Sequence, residues 1–138
     1  MIRTFNIEKK SSGKTDFFDL TPELTQLLHE TGVKQGHVVA FVPGSTAALT
    51  TIEYEGGVLS DLRQAIDRLV PKTIHYDHDA RWGDGNGYSH VRAALLGPSV
   101  YVPVVDGEMT LGSWQQVVLC DFDNRARTRR VIVQIVGE

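Results

Sequence analysis

The segment Arg130-Val131-Ile132-Val133-Gln134-Ile135-Val136 is apolar on both faces of an extended chain. Side chains alternate along a strand, so a half-exposed strand shows alternating polarity. This one does not, and it is expected to lie centrally in a sheet rather than at an edge. His37–Val42 is a second apolar run, short enough for a buried strand. Residues 2–8, Asp16–Leu20, Ala47–Tyr54, Val100–Val105, Met109–Leu111 and Ser113–Phe122 complete the set of expected strands. Asp106-Gly107 is the clearest hairpin signal, because a type I′ turn needs two positive φ angles.

Three helices are expected among these strands. Thr21-Pro22 opens the first, with Thr21 as the N-cap and Leu24, Leu27 and Leu28 as the buried stripe. Gly32 ends it in the left-handed region. A second covers about 58–70 on Leu59, Leu62, Ile66 and Leu69, stopped by Pro71. A third runs from Ser89 to Leu96, closed by Gly97. Residues 73–89 read as polar and irregular. The order is not a βαβ alternation, and the C-terminal half reads as a meander. The fold class is therefore α+β, a mixed and largely antiparallel sheet with about three helices packed on one side.

At 138 residues the chain fits one domain, 1–138, able to bury a core without staples. A net charge of -3 argues against a nucleic-acid binder with a wholly basic face, while leaving room for a local anion pocket. Cys120 is the only cysteine and sits in the apolar run Val117-Val118-Leu119, as a buried structural thiol would. A lone cysteine, no apolar run of membrane-spanning length and no apolar leader after Met1 make the cytoplasm the expected location.

The chemistry concentrates in His75-Tyr76-Asp77-His78-Asp79 and Asn86-Gly87-Tyr88-Ser89-His90. Imidazoles near carboxylates can bind a divalent metal, Zn or Mg, through His78, His90 and Asp79. They can equally move protons near neutral pH. A polar surface loop is the plainer alternative, since the spacing matches no zinc signature. His75 and His78, if extended, point to opposite faces. Pro43-Gly44-Ser45-Thr46 could hold an anion through Ser45, Thr46 and free N–H groups, or could simply break a strand. Glu53, on an otherwise apolar strand, either faces solvent or serves a site. Trp114 and Gln115 offer an apolar wall beside hydrogen-bonding groups. The basic cluster Asn124–Arg130 reads as a solvated hairpin loop or subunit contact rather than a phosphate site.

Tyr76-x-His78-Asp79, Ser89-His90, Leu96-Gly97-x-Ser99, Gly107, Leu111-Gly112-Ser113-Trp114-Gln115, Arg127-x-Arg129-x-Val131 and Gly137-Glu138 resemble the YjbQ-like family over residues 3–138. Ser113 stands where the family pattern Gly-Thr-Trp-Gln has Thr. Gly44 stands where many members carry a histidine, so any three-histidine metal site keeps only His78 and His90 here. Glu53 matches the family's acid. The resemblance implies an α+β fold, a homotrimer with sites near subunit boundaries, and, from a label some members carry, thiamine phosphate synthase activity. The expected function is thus a small-molecule enzyme acting on an anionic or phosphorylated metabolite, with His78, His90 and Glu53 as catalytic residues. Ser45, Thr46, Trp114 and Gln115 would bind the ligand. A non-catalytic binding module and a metal-dependent hydrolase are the alternatives. No nucleic-acid or membrane partner is expected.

Overall fold

The computed structural model describes residues 1–138. Its strands are β1 (Ile2–Lys10), β2 (Asp16–Asp19), β3 (Gly36–Phe41), β4 (Ala47–Ile52), β5 (Ser99–Val105), β6 (Glu108–Met109), β7 (Gln116–Asp121) and β8 (Thr128–Gly137). They form two sheets, one ordered β1-β8-β3-β5-β6 and a smaller one ordered β2-β7-β4. Every pairing is antiparallel. The α+β fold expected from the sequence is present, with its strands divided between two sheets. Asp106 and Gly107 take φ of 52° and 85° at the β5–β6 turn.

Strand β8 lies between β1 and β3, as its apolar sequence required. Only one of its faces is covered. Val131, Val133 and Ile135 are fully buried, whereas Ile132 and Val136 on the other face are half-buried. The strand buried on both faces is β7, whose Val117, Val118, Leu119 and Cys120 are all inaccessible. The larger core fills the space between the sheets with Ile7, Val38, Leu49, Leu119 and Val133 among its members. The smaller core lies beyond β7, where Ala48, Val118, Cys120 and Phe122 meet Ile66 and Ala93.

Helix α1 (Thr21–Thr31) drives Leu24 and Leu28 into the larger core. Leu20, not Thr21, holds the cap position, and no side chain caps it. The Thr21 hydroxyl accepts instead from the Val117 N–H at 2.8 Å, tying the helix start to β7. Gly32 ends the helix at φ 71°, as expected. Helix α2 (Gly56–Leu69) begins two residues earlier than its apolar stripe suggests. The Glu55 carboxylate caps it by accepting from the Gly57 and Val58 N–H groups, which hold its pKa below the ordinary value. Leu69 is 76% exposed, and Val70 takes the buried place expected for it. The chain turns there, with buried Arg92 donating to the Val70 carbonyl at 2.8 and 3.1 Å.

Residues 73–89 are more regular than expected. They contain α3 (Asp77–Trp82), and α4 (Gly87–Leu96) starts before Ser89. The C-terminal half is not a plain meander either, because β7 and β8 belong to different sheets. Six of the seven connections cross between the sheets, and three of them meet in space: 11–15 from β1 to β2, 42–46 from β3 to β4, and 122–127 from β7 to β8. They run side by side. The Phe122 N–H donates to the Thr46 carbonyl at 3.0 Å, and the Ser11 N–H donates to the Arg127 carbonyl at 2.8 Å. No helix is long and apolar enough to cross a membrane.

Candidate functional site

The crossings at 42–46 and 122–127, with the start of β8, form one wall of a polar pocket, and α3 with the start of α4 forms the other. Close approach of the helices depends on Gly87. A Cβ there would stand 2.7 Å from Tyr76 Cβ and 3.0 Å from Asp79 Oδ1. With no side chain, its N–H reaches Asp79 Oδ1 at 2.8 Å. His78 in the first turn of α3 and His90 in α4 then face each other, ring centroids 4.5 Å apart and planes at 43°. Neither ring has a hydrogen-bond partner within the chain. His78 Nδ1 is buried without one, its nearest acid being Asp79 Oδ1 at 3.6 Å, beyond hydrogen-bond reach.

The pocket has a volume of about 340 Å³ and no hydrophobic residue in its lining. Gly44, Ser45, Thr46, His78 and His90 meet there with Arg125, Arg127, Arg129 and Asn86, and two carboxylates, Asp84 and Asp123, share the lining. A buried ionic network forms its floor. Arg129 donates to both oxygens of Asp121, at 2.7 and 3.0 Å, and to the Thr46 hydroxyl at 2.6 Å. That hydroxyl donates in turn to Asp123 Oδ2 at 3.1 Å. Arg127 donates to the same oxygen at 2.9 Å, and the Asn86 amide donates to Asp123 Oδ1 at 3.2 Å. Burial pushes the Asp123 pKa up, but the bonds from Asn86, the Asn124 N–H, Arg127 and Thr46 outweigh it and hold the carboxyl below its ordinary value. Asp123 is therefore a fixed anion that orients its neighbours.

Several donors in the pocket remain free. The Arg125 guanidinium and the Ser45 hydroxyl have no partner within the chain, and Arg129 Nη1 lies unpaired beside Gly44. The N–H groups of Gly44 and Ser45 are also unpaired. Asn86 Oδ1 is buried without a partner. This set suits an anion with several acceptor oxygens, flanked by two imidazoles able to exchange a proton. The pocket residues that the sequence did not point to are Asp84, Asp123, Arg125, Arg127 and Arg129, while Asn86 lies in the His-bearing stretch but without a role assigned to it. Arg127-x-Arg129 lay in the quoted pattern, but a hairpin reading turned the cluster toward solvent.

The other candidate residues stand apart. Gln115 donates to Thr51 Oγ1 at 3.1 Å and accepts from the Gly112 N–H at 3.0 Å, lining a cleft of about 420 Å³ between β4 and β5. Trp114 is 76% exposed. Glu53 is half-exposed beyond the end of β4, and no ion pair forms at its carboxylate. His75 is exposed and bonds Asp77 Oδ1 at 2.9 Å. Asp79 anchors α4 through Gly87. Nowhere in the chain do three His, Cys, Asp or Glu side chains gather as a metal-binding group. A catalytic zinc centre takes three protein ligands. The two imidazoles, with Gly44 opposite them, do not fit such a centre within one chain.

The description "UPF0047 protein YjbQ-like" matches residues 4–138. The chain belongs to the YjbQ-like family. It is 37% identical over 125 residues to a UPF0047 protein of Archaeoglobus fulgidus, covering 91% of this chain and 94% of that one. UPF0047 protein YugU of Bacillus subtilis is 30% identical over 139 residues, covering 99% of this chain and all of YugU. The crystal structure of a hypothetical protein from Aeropyrum pernix K1 superposes with a TM-score of 0.91 at 28% identity, covering 99% of both chains. That of a YbjQ-like protein of unknown function from Sulfolobus solfataricus P2 gives 0.89 at 27%, covering both completely. This YjbQ-like chain thus shares its fold with its relatives from end to end.

Proposed function

We propose that this YjbQ-like protein is a small-molecule enzyme that binds an anionic, phosphorylated metabolite in the pocket between the sheet crossings and helices α3 and α4. The observation that carries the reading is a pocket of about 340 Å³ lined without a hydrophobic residue, in which three arginines, two histidines and an unpaired serine hydroxyl outnumber two carboxylates, Asp84 and Asp123. Arg125, Ser45 and the loop N–H groups bind the anion. Arg129 and Thr46, fixed by Asp121 and Asp123, hold the floor in place. His78 and His90 move a proton on the bound molecule. Isothermal titration with inorganic phosphate tests the binding. Arg125→Ala should weaken it about tenfold, the effect of one charge-assisted hydrogen bond. Undetectable binding to the unaltered protein would end the reading.

The finer activity, thiamine phosphate formation, is tested with purified protein beside His90→Ala. Equal rates in both would remove it. Non-catalytic binding is the second reading, favoured by the pairing of only two imidazoles with no third donor. A ligand-dependent rise in melting temperature without turnover would select it. A metal-dependent hydrolase would need a donor from outside the chain. One zinc per chain in protein purified without a His-tag would establish that need. Assembly as a homotrimer could bring such groups, including Glu53 and Gln115 of neighbouring copies, toward the pocket.

A further inference from the structure

Beside the cationic pocket lies a second cavity of about 330 Å³, walled by Ala47, Ala93, Ala94 and Pro98. It shares Gly44, Ser45 and His90 with the first. The two differ in chemistry. One offers guanidinium and hydroxyl donors, and the other offers methyl groups and a proline ring with no charged side chain. Phosphate alone would fill the first and leave the second to water. An apolar group in the second would remove those walls from water, a favourable transfer. Gly44 stands where they join. Its φ of 116° is one that residues with a Cβ rarely adopt, and a Cβ there would lie 3.2 Å from Arg129 Nη1. A side chain at Gly44 would stand at the boundary that the two cavities share. His90 lines both, at the position where the two halves of one ligand would be linked, whereas His78 lines only the polar one.

Resting on the anion reading above, we infer that the two cavities take one ligand, a phosphate monoester carrying a compact apolar group. A phosphate is favoured over a carboxylate because the free donors come from several directions, from Arg125, Arg129 Nη1, Ser45 and two N–H groups. A carboxylate is matched by a single guanidinium fork.

The test is calorimetric titration of inorganic phosphate, phenyl phosphate and benzoate into the unaltered protein and into Ala94→Leu. Ala94 is exposed on α4, and leucine is a good helix former, so this variant keeps the fold while filling the apolar cavity. Phenyl phosphate should bind about tenfold tighter than inorganic phosphate. Ala94→Leu should abolish that advantage and leave inorganic phosphate unaffected. The inference is overturned if phenyl phosphate is no tighter than inorganic phosphate, if benzoate matches it, or if Ala94→Leu preserves the advantage or weakens both ligands alike. Failure of every phosphate to bind would instead overturn the anion reading itself.

Discussion

Asp121 is 1% exposed and holds Arg129 through two short hydrogen bonds, so the pocket floor depends on its charge. Removing one partner of a buried ion pair leaves the other uncompensated. Asp121→Ala should therefore cost about 3–5 kcal/mol in urea unfolding. Asp123 makes a pH prediction. Its folded pKa is depressed, so the stability it contributes is present above the unfolded carboxylate pKa of about 3.9 and lost as pH falls through the folded value. Melting temperatures measured from about pH 5 down to pH 2 should fall more steeply for the unaltered protein than for Asp123→Asn. Cys120 is the opposite case. Burial pushes its thiol up to about 12, so it should resist a thiol reagent at pH about 8 until the protein is denatured. The buried thiol was legible from its apolar neighbours. The Thr46 network was not, because the hydroxyl's partners lie 77 and 83 residues away in sequence.

At the scale of elements, the site is set by how α3 meets α4. Gly87→Ala places a methyl group 2.7 Å from Tyr76 Cβ, so Tyr76 or the helix must move. Overpacking of this kind costs about 1–3 kcal/mol. The variant should melt lower and bind phosphate more weakly, because the movement separates His78 from His90. Unchanged stability and affinity would show that the helices do not fix the imidazoles. The α1 terminator and the β5–β6 turn were legible because Gly32 and Asp106-Gly107 encode their φ angles locally. Helix α3 was not, since its six residues are too few for an apolar period. Its signals were Asp77 and Asp79 in the first turn and Gly83 at its end, with φ 72°. Leu69 fitted the period of α2, but the chain turns at Val70 and leaves it in solvent.

At the scale of the whole molecule, apolar runs identify strands without saying which pair. The C-terminal run pointed to a central β8, and that is where it lies. The division into two sheets was hidden, and with it the crossing at 122–127 that turns Arg125, Arg127 and Arg129 toward Ser45. The outer face of the five-stranded sheet keeps Phe41 and Tyr101 exposed and Ile132 half-buried. An uncovered face of this kind supports the proposed homotrimer. Sedimentation equilibrium at micromolar protein should report three times the chain mass of 15.3 kDa, and a stable monomer would refute it. The central claim is that Ser45, the arginine loop and the His78–His90 pair form one anion site. Its most direct test is an NMR titration of the imidazole ring resonances with inorganic phosphate. His78 and His90 should shift together along one saturable curve, with His29, His37 and His75 nearly still. Phosphate that moved the exposed histidines equally, or left His78 and His90 unmoved, would contradict the account.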